Sequence, residues 1–132
     1  MTDFDLARLV HADKLGIEIV DDMRPVRLGK LSVLHGHEYR FSISNPVNPA
    51  RGLFMRAKVS VMCSHFHQTS QHSESDLDGK VVSAWSLGCL CDLHPRYMPL
   101  NKWNIGFAQV ETDTQGRFEV SNYRIVDGRI YA

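Results

Sequence analysis

Leu31-Ser32-Val33-Leu34-His35-Gly36-His37 and Val59-Ser60-Val61-Met62-Cys63-Ser64-His65-Phe66-His67 decide how this chain folds. Each opens on a short apolar run of strand type and closes on a His-x-His. On a regular strand, residues i and i+2 share one face and i and i+1 alternate. Past the strand end a turn can aim both imidazoles of a pair into one cleft, and Gly36 frees the backbone to do so. In parallel sheets, ligand sites gather outside the carboxyl ends of the strands. A neutral imidazole is the commonest protein ligand for divalent transition metals. The two pieces together therefore point to a metal site. The alternative is that these are surface or hydrogen-bonded histidines.

Working outward, Asn48 followed by Pro49 is a helix start, with Asn48 as cap and Pro49 at the first helical position. The helix is expected to run to about Lys58, with Leu53, Phe54 and Ala57 inward and Arg51, Arg56 and Lys58 outward. Strand, helix, strand in this order implies a crossover between parallel strands. Upstream, residues 3–15 read as a helix stopped by Gly16, Ile17-Glu18-Ile19-Val20 as a short strand, and Asp21 to Pro25 as a turn before Val26-Arg27-Leu28. Downstream, the polar segment Gln68 to Gly79 reads as an exposed loop and Lys80–Trp85 as a strand. Residues 88–104 are irregular. Three antiparallel strands follow at 106–111, 117–125 and 129–131, joined by Asp113-Thr114-Gln115-Gly116 and Asp127-Gly128. The expected class is α/β (α+β): one domain with a mixed sheet and antiparallel C-terminal strands.

With 132 residues and 43% hydrophobic content, the chain is long and apolar enough for one modest core. Fifteen basic residues balance fifteen acidic ones, so overall charge forces no nucleic-acid surface. The start, Met1-Thr2-Asp3-Phe4-Asp5, lacks the pattern of a signal peptide, and no apolar run approaches a membrane span. Three cysteines, an odd number, argue for free thiols in a reducing compartment. The expectation is a cytoplasmic protein without membrane contact.

Other chemistry is sparse. His11 and His72 read as ordinary histidines. Asp92-Leu93-His94 has metal-ligand spacing but sits in the irregular segment. Cys89-x-Cys91 with Cys63 is half of a zinc pattern, lacking a second Cys-x-x-Cys, and buried free thiols are the simpler reading. A small zinc-stabilised module built on these three cysteines stays open. No phosphate-cradling glycine loop or Gly-x-Ser-x-Gly elbow is present. Trp85, Trp103, Phe107 and Phe118 read as core or cleft-wall aromatics.

Leu34-His35-Gly36-His37, then a helix, then a strand into Ser64-His65-Phe66-His67, resembles the second half of a calcineurin-like metallophosphoesterase. Ser83-Ala84-Trp85-Ser86-Leu87-Gly88-Cys89-Leu90, Pro99-Leu100-Asn101-Lys102-Trp103-Asn104 and Gly106-Phe107-Ala108 look like the phage-type members. The resemblance covers about residues 17–132. It implies a sandwich of two mixed sheets flanked by helices, of which this chain would form part. It also implies a site for two divalent metals, often manganese, iron or zinc. By motif match, His35 and His65 would ligate one metal and His67 the other, with His37 beside the cleft as a phosphate contact. The implied activity is phosphomonoester or phosphodiester hydrolysis by a metal-activated water, with nucleic acid entering only as a substrate.

Two departures qualify what the resemblance implies. Ser64 stands where the family usually has glycine. The family's opening motifs (Asp-x-His, a Gly-Asp whose carboxylate bridges the metals, and Gly-Asn-His) have no counterpart upstream of His35. Two dications about 3.5–4 Å apart repel and need anionic ligands between them. Three imidazoles supply none. The chain therefore reads as a C-terminal portion that holds at most one metal, loosely, and catalyses poorly alone. Half a sandwich exposes a sheet edge, so the expected partner is the missing N-terminal half or a second copy. The competing expectation is a catalytically incomplete remnant serving as a metal-binding or protein-interaction module.

Overall fold

Parallel strands need a crossover, and the capped helix between the two histidine pieces provides it. The structure is a computed structural model and describes residues 5–38 and 47–132. Its elements are α1 (Leu6–Leu9), β1 (Val26–Leu28), β2 (Leu31–Leu34), α2 (Pro49–Ala57), β3 (Val61–Cys63), β4 (Ser70–Ser75), β5 (Val81–Ser86), β6 (Gly106–Thr112), β7 (Phe118–Val126) and β8 (Arg129–Tyr131). Among the described residues the fold is mixed α+β with two sheets. The larger is five-stranded and mixed, in the order β1-β2-β3-β5-β4, and the smaller is three-stranded and antiparallel, in the order β6-β7-β8. Three central neighbours, β2, β3 and β5, run parallel, so their carboxyl ends lie side by side.

The helix α2 forms where its caps place it. Asn48 Oδ1 accepts the Arg51 N–H at 3.0 Å, and Lys58 closes the helix in the left-handed region, its N–H bonded to Phe54 O. Leu53 and Ala50 bury against Val61, Cys63 and Ala84, with Phe54 and Ala57 at the margin. Arg51, Arg56 and Lys58 face outward. On the opposite face of the large sheet, Leu31, Met62 and Trp85 pack against Ala108, Val110, Phe118 and Val120 of the small sheet. The layers are thus helix, sheet, sheet. Polar ties reinforce the second interface: Asn122 Nδ2 on β7 donates to Ser86 O of β5 at 3.0 Å.

Three expectations differ from the structure. Helix 3–15 shrinks to the single turn Leu6–Leu9 followed by turns, because no residue of that turn is buried and a short helix without tertiary packing is marginal; its first two residues, 3 and 4, lie outside the described residues, as do Asn45 and Pro46. Ile17–Val20 forms no strand; Ile17 and Ile19 are about half exposed and pair with no strand among the described residues. The polar segment after His67 is not a loop throughout. It contains β4, an edge strand paired antiparallel with β5 along its whole length. Its polar residues suit an exposed edge, which hydrophobic alternation would not flag. His72 on this strand stacks on Phe54 of α2, ring centroids 4.9 Å apart, and bonds Glu74 at 2.7 Å, a structural role.

Candidate metal centre

Each of the three parallel strands ends in a pair of donor residues. β2 leads into His35 and His37, β3 into His65 and His67, and β5, through Leu87 and Gly88, into Cys89 and Cys91. Backbone bonds carry the alignment past the strand ends. His35 O accepts both Ser64 N–H (3.1 Å) and His65 N–H (2.9 Å), and Cys63 O accepts Leu87 N–H (2.9 Å). The three exits are thereby held abreast on one edge.

On the β2 side the rings gather closely. His35 and His37 present their Nδ1 atoms to each other at 2.9 Å, and the His35 and His65 ring centroids are 4.8 Å apart. The centroids of His37 and His65 are 6.3 Å apart. Gly36 sits between with φ +116°, and a Cβ there would lie 3.0 Å from the His65 Cβ and 3.1 Å from the Cys63 Cβ. Only glycine allows both that conformation and that approach. Ser64 donates its backbone N–H to His35 O and accepts the His67 N–H at 3.2 Å, which closes the turn between the two histidine pieces. Glu38, which the sequence reading passed over, staples the loop: its carboxylate accepts N–H bonds from His35 at 3.3 Å and Gly36 at 2.6 Å, and stands 3.7 Å from His37 Nδ1. Burial pushes this carboxyl up, but the backbone N–H groups of Glu38, Gly36 and His35 outweigh it and bring it below its usual range. An acidic residue directly after a His-x-His was the available signal.

On the β5 side a different group forms. The donor atoms of His67, Cys89 and Cys91 all lie within 4.8 Å of one another, so these three residues could hold a metal ion. Cys91 Sγ is 3.9 Å from His67 Nδ1. Cys89 is buried and Cys91 exposed, and both thiols are free. The Cys91 thiol is pushed up, first by its hydrogen bond with Cys89 and then by desolvation and charge repulsion between the two. Cys63 is not part of the group. It belongs to the core beneath α2, and burial pushes its thiol up to about 12. The sequence pairing of Cys63 with Cys89 and Cys91 thus gives way to His67 with Cys89 and Cys91. Asp92 and His94 are absorbed by their loop: Asp92 Oδ1 accepts the His94 N–H at 2.9 Å, and His94 Nδ1 meets Pro99 O at 3.1 Å.

His67 links the two sides. It is a non-glycine residue at φ +55°, a conformation uncommon outside turns and functional sites. Its ring stands edge-on to Trp103, centroids 4.3 Å apart. Burial first, then the charge of neighbouring histidines, hold both His65 and His67 below the ordinary histidine value. At neutral pH their lone pairs are therefore available to a metal. His35, His65 and His67 line a cleft of about 860 Å³ together with Tyr97, Leu100 and Trp103. Asn101 organises the segment that carries these last three, donating to Leu93 O and Met98 O and accepting the Trp103 N–H.

Of the residues expected from sequence, His35, His37 and His65 come together, and His67 lies at the junction with the two cysteines. No helix among the described residues is long and apolar enough to cross a membrane. Compared with models of protein families, with curated proteins and with solved structures, the chain finds no match.

Proposed function

We propose that this chain is the histidine-bearing part of a metal-dependent phosphoesterase of calcineurin-like type, acting in the cytoplasm. The observation that carries this reading is the delivery of donor pairs from the exits of adjacent parallel strands onto one edge, beside an open cleft. His35 and His65 are the proposed ligands of one metal, and His67 of a second. Manganese, iron or zinc is the proposed ion, imidazole nitrogen being a donor that suits all three.

A divalent metal there supplies Lewis acidity toward a phosphoryl oxygen and an activated water. The chain's own residues do the rest. His37, about half exposed, is the proposed contact to a phosphate oxygen. Glu38 holds the β2 exit in shape, and its carboxylate offsets part of the positive charge that a metal brings. Tyr97, Leu100 and Trp103 cover the apolar side of a bound ester and limit access of water. The bridging carboxylate that two metals require is expected from residues other than these 132, supplied by a partner chain or segment.

A second reading, a catalytically incomplete module that binds metal or a partner protein, draws on one observation: the donors at this edge are imidazoles and thiols, and the Glu38 carboxylate beside them is occupied by backbone N–H groups. Hydrolysis of an aryl phosphodiester and an aryl phosphomonoester with manganese, iron or zinc separates the two. The assay is run on this chain alone and with a polypeptide carrying Asp-x-His, Gly-Asp and Gly-Asn-His motifs. The phosphoesterase reading expects turnover in the mixture that falls at least about a hundredfold in His65→Ala, the order of a lost catalytic group. No turnover in any mixture, or turnover indifferent to His35, His65 and His67, overturns it.

A further inference from the structure

We infer that His67, Cys89 and Cys91 form a zinc site of their own, with three protein ligands and a fourth position facing the cleft. Geometry comes first. Zinc bonds of about 2.3 Å to sulfur and 2.0–2.1 Å to nitrogen, in a tetrahedron, put sulfur and nitrogen about 3.6 Å apart and two sulfurs about 3.8 Å apart. Cys91 Sγ and His67 Nδ1 are 3.9 Å apart, and all three donor atoms fall within 4.8 Å of one another. Closure of about 0.3 Å for that pair, and of no more than about 1.2 Å for the others, completes the set.

Chemistry comes second. Two thiolates and an imidazole are a soft donor set, which favours zinc over manganese or magnesium. The dication also removes the repulsion that two adjacent thiolates would otherwise feel. Three protein ligands plus an open position is the pattern of reactive rather than purely structural zinc.

Preorganisation comes third, and it comes from Asn104. Its N–H donates to His67 O at 2.9 Å and its carbonyl accepts the Cys89 N–H at 2.9 Å, so one peptide clamps two of the three ligands. Its side chain is held in turn: Oδ1 accepts the Thr69 N–H at 2.7 Å and Nδ2 donates to Thr69 Oγ1 at 2.8 Å. Cys89 is further fixed by a bridge to Ile105. A free Cys-x-Cys on a mobile loop would need no such brace.

Here His67 ligates zinc with the two cysteines in place of a second phosphoesterase metal; the inference survives failure of the phosphoesterase reading, because it concerns ligation and not turnover. The test is titration of the full reduced chain with cobalt as a spectroscopic probe, followed by zinc in competition with a chromophoric chelator. The expected result is a thiolate-to-cobalt charge-transfer band that zinc bleaches at one equivalent. Cys91→Ser, at an exposed position, removes sulfur from the set and weakens zinc by at least about tenfold. His67→Ala weakens it comparably, while His35→Ala leaves the band in place. Cobalt bound without a thiolate band, or zinc affinity unchanged in folded Cys91→Ser, overturns the inference. Should Cys91→Ser fail to fold, the band in the unsubstituted chain decides alone.

Discussion

At the exit of β2 the chain presents two imidazoles and a carboxylate, and at the exit of β5 two thiols. Both regions leave parallel strands of one sheet, and both lean on the loop between them that carries His65 and His67. They are braced differently. The β2 exit is shaped locally, by Gly36 at φ +116° and by the Glu38 carboxylate two to three residues from the groups it binds. The β5 exit is shaped from a distance, by Asn104 at the threshold of the small sheet. The first brace can be read along the chain, whereas the second exists only after the two sheets pack.

Two glycine substitutions break the comparison one side at a time. Gly88→Ala should have the larger effect. Its Cβ would lie 2.6 Å from Asn104 O and 2.7 Å from Gly106 N, both backbone atoms that cannot swing away. Overpacking of this kind costs about 1–3 kcal/mol and sometimes more, and here the upper end or beyond is expected in urea unfolding. The displacement falls on the clamp that aligns His67 and Cys89, so metal binding involving thiolate should weaken more than binding at His35. Gly36→Ala should cost about 1–3 kcal/mol, from the positive φ and the contact with His65. There the order reverses: binding at His35 and His65 suffers, and the thiolate band persists. Equal losses on both sides in each variant would show that the two regions are one rigid unit rather than two.

A smaller effect sharpens the role of the shared loop. Both His65 and His67 have their proton affinity lowered by burial and by neighbouring histidine charge. The unfolded chain protonates these rings near 6.5, the folded chain only below it. Between the two values the unfolded state binds more protons, so stability rises with pH through that window. The contribution is complete above 6.5 and is lost as pH falls through the folded values. Both rings remain partly solvated, so the slope is shallow. Imidazole proton resonances followed from pH 8 to 4.5 should give midpoints below 6.5 for both residues; a midpoint above it for either would remove that ring from the cluster.

Much of the fold was legible beforehand because its signals are local. Asn48-Pro49 wrote the helix start, the apolar run at 31–34 wrote β2, and the Asp-Gly and Gln-Gly turns wrote the C-terminal hairpins. Two elements misled for complementary reasons. Ile17–Val20 alternates like a strand but pairs with no neighbour among the described residues, while β4 carries no hydrophobic alternation yet pairs fully with β5. Strand formation there is settled by the partner, not by the segment.

The candidate site divides along the same line. Histidine spacing at two strand ends was enough to single out His35, His37, His65 and His67, because a strand exit and a His-x-His are both properties of a few consecutive residues. The alliance of His67 with Cys89 and Cys91 was not, since more than twenty residues and two strands, β4 and β5, intervene between them. Which donors share an edge depends on strand order, and strand order follows from how α2 and the small sheet cover the two faces of the large one. By itself the sequence determined the donor types and their strand-end placement; only tertiary packing decided that a histidine read with imidazoles would stand beside sulfur, because proximity across a sheet is a property of pairing and not of spacing.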